Sequence, residues 1–498
     1  MTRLSQRASM SLPAFVARPA YHRGGLRRGI VHLGLGAFHR AHQALYTEAA
    51  IAEGDLRWGI AGVSLRSKSV ADALIPQDLL YCVLERDGEQ VSARLVGALH
   101  AALHAPSQLD EVLEAIADPQ TQVVTSTVTE KGYCINPATG DLDVADKSIQ
   151  HDVAHPESPS STIGVLFAGI RRRAPAAKLT ILCCDNMASN GDTLRKLVLQ
   201  FARLVDTATE RRIESMIAFP SSMVDRIVPA ATSESLDWAE ERLGVRDEAA
   251  IVCEPFTQWV IENRFAGARP AWERGGALFV NDVRPYQAMK LRLLNGTHSA
   301  IAYLGQLRDL ETVSDAMRDP LVGPFARRLM TEDLRSTLAA PADYDVLAYC
   351  DQLLRRFENP SLAHRTQQIA MDGTQKVPVR WLPALRATVD AGGDLPHVER
   401  ALAAWLHYLL TQRSDNGSAL VISDPGAATL GARMRAEQNP NDVARAALGH
   451  TSVFGEAPWP DAFIARLSKH LAALRSGGVG ALLSRAFIDG SLARQQPT

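Results

Sequence analysis

Gly29 to Leu35 is a short apolar run ending in Gly34-Leu-Gly36, and residues 37 to 53 follow with helical spacing and no proline. Strand, glycine turn and helix in that order make a βα unit whose helix N-terminus suits a diphosphate. The full G-x-G-x-x-G is not present, because His39 stands at the third glycine position. Trp58 to Leu65 reads as a second strand whose end should meet the adenosine ribose of a dinucleotide. An acid there selects NAD, whereas a basic residue accommodates the extra phosphate of NADP. The chain offers Ser64, Arg66, Ser67, Lys68 and Ser69, with no acid until Asp72. Both a solvated loop and an NADP-tolerant site remain open.

Further apolar runs alternate with helical stretches. Val123 to Val128 and Leu179 to Cys184 read as strands, while Thr162 to Arg173 (opening at Ser160-Ser161) and Thr193 to Leu204 read as helices. The alternation predicts a doubly wound, mostly parallel sheet. Ligands of such sheets lie beyond the strand C-termini, where Glu130 and Asp185-Asn186 fall. After about residue 284 the pattern becomes amphipathic helices, such as Leu402 to Leu410 and Asp461 to Leu474. Breaks occur at Asn359-Pro360, Gly392-Gly393, Asp424-Pro425 and Gly477-Gly478. The predicted architecture is an α/β, Rossmann-type dinucleotide-binding domain over 1–284, with a basic arm at 1–28. An all-helical substrate and catalytic domain over 285–498 follows it.

A chain of 498 residues needs more than one core. Its net charge of -2 leaves no electrostatic footprint for nucleic acid, and no apolar run approaches the ~20 residues of a membrane span. The six cysteines show no C-x-x-C spacing, which argues for a reducing, cytoplasmic setting and against a zinc framework. His151 and His155 have H-x-x-x-H spacing but sit beside Pro156 in a polar stretch, so no metal is assigned. The first 28 residues carry Arg3, Arg7, Arg18, Arg23, Arg27 and Arg28, and Glu48 is the first acid. That composition resembles an organelle transit segment; without an apolar signal core it is read as a flexible basic arm.

Lys290 to His298 reads Lys-Leu-Arg-Leu-Leu-Asn-Gly-Thr-His. On an α-helix, at about 100° per residue, Lys290, His298 and Asn295 sit at roughly 0°, 80° and 140°. An amine, an imidazole and an amide on one sector can move a proton and hold a developing oxyanion. The same pattern also suits a polar helix face toward solvent or another domain. A seam between two domains is where a small-molecule site is expected.

Several stretches together resemble the mannitol dehydrogenase family of long-chain polyol dehydrogenases. They are Gly34-Leu-Gly-Ala-Phe-His-Arg-Ala-His42, Thr129-Glu-Lys-Gly-Tyr133, Cys184-Asp-Asn186, the run from Phe219 to Pro229, the run from Cys253 to Ile261, and Lys290 through His298. The resemblance implies a zinc-independent, NAD-dependent oxidoreductase, with NADP open, acting on a sugar alcohol or sugar acid. It implies Lys290 as general acid/base, Asn186 and Asn295 holding the substrate oxygen, His298 orienting the hydroxyl, and Asp225 near the substrate. Gly34, Gly36, Ala37 and Phe38 would cradle the cofactor, with Arg66 and Lys68 at its adenosine end. An unshifted lysine has a pKa near 10.4, so burial beside a positively charged nicotinamide is needed to make it a base.

Within the family the chain is most similar to fructuronate reductases (D-mannonate oxidoreductases), through residues 129–133 and 359–378. Gln368 stands where mannitol 2-dehydrogenases carry an arginine that contacts polyol, and Gln287 and Ala288 stand where they carry glutamates. A sugar-acid carboxylate calls for a cationic fork or point charge, for which His364, Arg365, Lys131 and Lys376 are candidates. For Arg365 a surface salt bridge is equally open. The expected reaction is D-fructuronate to D-mannonate. The alternatives are polyol oxidation, as by a mannitol 2-dehydrogenase or D-arabinitol 4-dehydrogenase, and a silent dinucleotide-binding protein. The expected partner is one small sugar acid or polyol, with no nucleic acid or membrane, in a monomer or small homo-oligomer.

Overall fold

The computed structural model describes residues 2–137, 139–341, 344–362 and 364–484. Residues 485–498, assigned above to the helical domain, lie outside the described residues. The chain divides into two compact units, Met1–Arg284 and Pro285–Thr498.

The first unit is built on a six-stranded parallel sheet. Its strands are β1 (Arg28–Leu33), β2 (Gly59–Ser64), β3 (Leu99–His104), β4 (Val123–Ser126), β5 (Leu179–Cys183) and β6 (Ile217–Ala218), in the order β3-β2-β1-β4-β5-β6. That is the doubly wound order of dinucleotide-binding sheets, and the order reverses between β1 and β4. The strands are buried on both faces, as helix-covered parallel strands are. Helices Leu109–Ala117, Thr162–Arg172 and Asn190–Val205 pack against one another and share one core with β1, β4 and β5.

Two smaller sheets were not anticipated. One pairs Tyr81–Asp87 antiparallel with Gln90–Val96 and adds Ile251–Cys253 and Val16–Ala17 at its edges. The other orders Ser222–Asp225, Gln258–Glu262 and Leu278–Val280. The helix expected over 37–53 is also split, into Ala37–Ala41 and Gln43–Ala52, at His42. There the ring leaves the helix path, bonding the Gln258 carbonyl through Nε2 at 2.9 Å and stacking on Phe38.

The N-terminal arm is not a flexible tail. Leu4, Ala8, Leu12 and Val16 are buried in a core with Leu80, Cys82, Leu84 and Leu95, and removing that apolar surface from water stabilises the docked arm. Arg18 and Arg23 donate to backbone carbonyls of Leu12 and Gly97, and Tyr21 donates to Glu48 Oε2 at 2.9 Å. Burial pushes the Glu48 carboxyl up to about 7, against the hydrogen bonds from Gly97 and Tyr21. The folded state therefore keeps a proton that the unfolded chain has already released. Stability should fall as pH rises from about 4.5 to about 7, by up to roughly 3 kcal/mol from this group. Glu48→Gln should remove that part of the slope, so that the thermal midpoints of wild type and variant draw apart between about pH 4.5 and pH 7 and keep a constant gap above it. Parallel profiles would refute it.

The second unit is helical. Pro396–Thr411 is buried along almost its whole length, and Asp461–Leu482 and Thr297–Leu307 pack against it. The expected breaks appear as a helix end at Glu358, a helix end at Asp390, a helix start at Ala427, and non-helical Gly477 and Gly478 inside the last helix. No described helix is long and apolar enough to cross a membrane.

Candidate active site

In the first unit the polar groups gather beyond β1 and β4, at the point where strand order reverses. Gly34 has φ +98°, and a Cβ there would stand 2.2 Å from the Thr127 carbonyl oxygen, so only glycine fits. The Gly34 carbonyl accepts from His32 Nε2 at 3.0 Å and from Thr127 Oγ1 at 3.0 Å. A carbonyl can only accept, so His32 carries its proton on Nε2, and Nδ1 accepts from Thr125 Oγ1 at 2.7 Å. Burial holds His32 down to about 3, which keeps it neutral. His39, at the missing third glycine, is buried and stacks on His32 with centroids 3.4 Å apart. It replaces the close helix–strand approach of a glycine with ring packing.

Asp185 follows β5 and ties the neighbouring strand end to it. It accepts from Val128 N at 3.1 Å, Thr129 N at 2.9 Å and the Tyr133 hydroxyl at 2.5 Å. Burial pushes its pKa up, while these three donors favour the charge. Thr129 and Cys134 are held at positive φ in the same loop, a strain found where geometry is over-determined. Asn186 comes next and is exposed, as are Glu130 and Lys131. Asp225 is buried at the end of its strand. The neighbouring Arg226 bonds the Ala41 carbonyl at 2.7 Å and Glu85, fixing the short helix after the glycine turn. Arg66 and Lys68 are exposed beyond β2, and Lys68 pairs with Asp72 at 3.5 Å.

In the second unit the Lys290 segment departs from expectation. Lys290–Gly296 is a π-helix, continued by an α-helix from Thr297, so the 100° placement of its polar groups does not hold. With i→i+5 pairing the chain turns less per residue, so Asn295 falls nearer the Lys290 face than α-helical pitch would put it. Such turns occur often at functional sites. His298 is enclosed: its Nε2 is shielded and has no hydrogen-bond partner among the described residues. The ring stacks on Phe357 and meets His364 edge-on, each at 5.0 Å. Burial, with His364, Arg380, Arg356 and Lys376 nearby, holds His298 well below the usual histidine range. It is a neutral imidazole beside the cations Arg380, Arg356 and Lys376.

Lys376 and Arg380 lie one turn apart on Gly373–Arg380, both half-buried. Neither forms an ion pair among the described residues. Lys376 donates to the Ile369 carbonyl at 3.2 Å. Burial and then Arg380 lower its pKa, with Asp372 and Asp424 opposing. Like charges at this spacing repel, so an anion between them would stabilise the pair. Gly373 is required where it stands, because a Cβ would lie 2.4 Å from Trp405 Nε1 and 2.5 Å from the Tyr303 hydroxyl. Arg365 is elsewhere in character: exposed, in an ion pair with Glu311 at 3.4 Å. That is the surface-bridge alternative left open by its sequence. Residue patterns missed His32, Arg380 and Trp381. A cue existed for Arg380, four residues after Lys376.

The description "Mannitol dehydrogenase Rossmann domain" matches residues 28–274, and "Mannitol dehydrogenase C-terminal domain" matches residues 282–475. The chain is 43% identical over 448 residues to a D-mannonate oxidoreductase of Escherichia coli (strain K12), covering 89% of this chain and 92% of that protein. It is 35% identical over 476 residues to a mannitol 2-dehydrogenase of Cereibacter sphaeroides, covering 94% and 98%. Among solved structures, a Pseudomonas fluorescens mannitol 2-dehydrogenase in ternary complex with NAD and D-mannitol superposes with a TM-score of 0.84. The identity is 34%, and the match covers 99% of this chain and 100% of that one.

Proposed function

This chain belongs to the mannitol dehydrogenase family, and from that premise we propose that it interconverts D-fructuronate and D-mannonate. Membership alone makes it an oxidoreductase acting on the CH–OH group of a polyol or sugar acid, with NAD(H) as the dinucleotide. The glycine turn fits that cofactor: the backbone at Gly34 leaves no room for a side chain, while beside Gly36 nothing lies nearer than the Gly34 carbonyl, 3.7 Å from where a Cβ would be. Gly34, Gly36, Ala37 and Phe38 would hold the diphosphate half, and Arg66 and Lys68 stand toward the adenosine end. When bound, the nicotinamide supplies or accepts the hydride.

The protein's own residues handle the oxygen and its proton. In the reducing direction Lys290 gives its Nζ proton to the ketone oxygen as the new C–H bond forms, and in the oxidising direction it takes that proton back. Asn186 and Asn295 donate amide hydrogens to the oxygen as charge builds on it. His298 offers Nε2 to a substrate hydroxyl and fixes its direction. Lys376, with His364 beside it, meets the carboxylate.

The observation that carries the sugar-acid reading is the electropositive setting of His298. The cations that shift it are Arg380, Arg356 and Lys376, with no acid among them, while burial and then Lys376 hold the neighbouring His364 below the usual histidine range. A neutral hexitol has no use for such a field, whereas a uronate is drawn by it. Oxidation of a polyol is the second reading, favoured by the 34% identity to the mannitol 2-dehydrogenase. The test is a panel of fructuronate, tagaturonate, fructose and xylulose, each with NADH and NADPH. We expect kcat/KM for fructuronate to exceed that for fructose; a clear preference for fructose would overturn the proposal. The same panel bears on the loop beyond β2, where no acid other than the ion-paired Asp72 awaits a ribose hydroxyl. NADPH should be accepted, and its rejection would make Arg66 and Lys68 plain surface.

A further inference from the structure

The segment bearing Lys290, Asn295 and His298 is wound in two registers, π through Gly296 and α from Thr297. Where pairing changes from i→i+5 to i→i+4, backbone donors and acceptors no longer match one to one. Shielded backbone groups with deficient partners are costly. A π-turn therefore persists where something outside the helix compensates it.

Two consecutive side chains reach this junction. Arg380 Nη1 donates to the Asn295 carbonyl at 3.1 Å and to Ser299 Oγ at 2.6 Å. Trp381 Nε1 donates to the Gly296 carbonyl at 3.1 Å. The three acceptors flank His298 on both sides along the chain. Gly296 is matched to the indole, since a Cβ there would stand 3.2 Å from Trp381 Nε1 and 3.3 Å from Leu334 Cδ1. Trp381 is fully buried. Burial lowers Arg380 only to about 10, so it stays charged at neutral pH. On the near side of the turn, Arg292 donates to the Thr337 carbonyl and hydroxyl.

We propose that Arg380 and Trp381 are positioning residues that lock the π-to-α junction and so fix the Lys290 amine relative to the Asn295 amide and the His298 imidazole. At α-helical pitch Asn295 would lie roughly 140° from Lys290; i→i+5 pairing narrows that angle, and the junction holds it there. The inference rests on the reading of Lys290 and Asn295 as catalytic, but its structural half does not.

Trp381→Phe removes one donor at nearly constant volume. Arg380→Met removes donors and charge, and Arg380→Lys restores one donor. With the full-length enzyme we expect Trp381→Phe and Arg380→Met to lower kcat about 10- to 100-fold, the scale of a small misplacement. The dissociation constant for NADH should stay within twofold, and Arg380→Lys should recover part of the loss. Amide hydrogen exchange over 291–299 should accelerate in both disruptive variants, a readout independent of turnover. Should Arg380→Met fail to fold, Trp381→Phe decides alone. Unchanged exchange, or kcat within twofold of wild type, overturns the proposal, as does a loss confined to KM in Arg380→Met alone, which would make Arg380 a substrate contact. Failure of the catalytic reading shows separately, as turnover persisting in Lys290→Ala.

Discussion

Lys290→Ala is expected to lower kcat by about 10³-fold while the dissociation constant for NADH changes less than twofold. Positioned acid–base groups contribute typically 10²- to 10⁴-fold, and neither of the groups that flank the transferred proton, His298 and Asn295, can take over. His298 is held neutral by burial and the cations around it, and Asn295 has no proton to exchange at accessible pH. The glycine turn belongs to the other unit and keeps its own supports, His32 and Thr127 on the Gly34 carbonyl, so cofactor affinity should survive. The pH dependence has opposite signs in the two directions. Reduction needs the ammonium and should weaken as pH rises through the apparent pKa of Lys290, whereas oxidation needs the free amine and should strengthen. Stopped-flow turnover in both directions, with NADH fluorescence for binding, checks all three statements. Near-wild-type kcat in the alanine variant would remove Lys290 from the chemistry.

What could be read from residues alone was what local pattern encodes. The run Gly29 to Leu35 with its two glycines specifies a buried strand and turn, and the structure adds only why Gly34 has no substitute. The alternation of apolar runs with helical spacing yields four of the six strands of the parallel sheet, because parallel strands covered on both faces must be apolar throughout; Leu99–His104 and Ile217–Ala218 were not read from it. The hairpin at Tyr81–Asp87 had a visible cue in Asp87-Gly88, but its strands join a separate sheet through long-range pairing with residues 16–17 and 251–253, which no local window contains. The N-terminal arm misled through composition. Six arginines suggested a solvated tail, while Leu4, Ala8, Leu12 and Val16, four residues apart, supply buried apolar surface. The π-turn was invisible for a different reason. Over seven residues an apolar spacing cannot distinguish i→i+4 from i→i+5 pairing, and here the choice is supported by Arg380 and Trp381, some 85 residues away in sequence. The family resemblance gave Lys290 and Asn295 their expected roles; the π-turn that carries both is bonded from outside the helix by Arg380 and Trp381.

Lys376→Met is expected to separate sugar acids from neutral sugars. We expect kcat/KM for fructuronate to fall about 100-fold and that for fructose by less than about fivefold. A charge-assisted hydrogen bond between an ammonium and a carboxylate is worth about 1.5–3 kcal/mol, or roughly 10- to 150-fold. Lys376 suits the role because it is half-buried, spends one donor on the Ile369 carbonyl and forms no ion pair among the described residues. Methionine keeps most of the stem's volume, so the helix Gly373–Arg380 and the junction it supports should be little disturbed. Arg365→Ala is the control. Its guanidinium is committed to an exposed pair with Glu311, and such pairs contribute about 0–1 kcal/mol to stability, so both substrates should keep their rates within twofold. Equal losses for fructuronate and fructose in Lys376→Met would mean that the ammonium holds a hydroxyl common to both. The electropositive setting of His298 would then have to serve another anion, and the choice of a uronate over a hexitol would lose its physical basis.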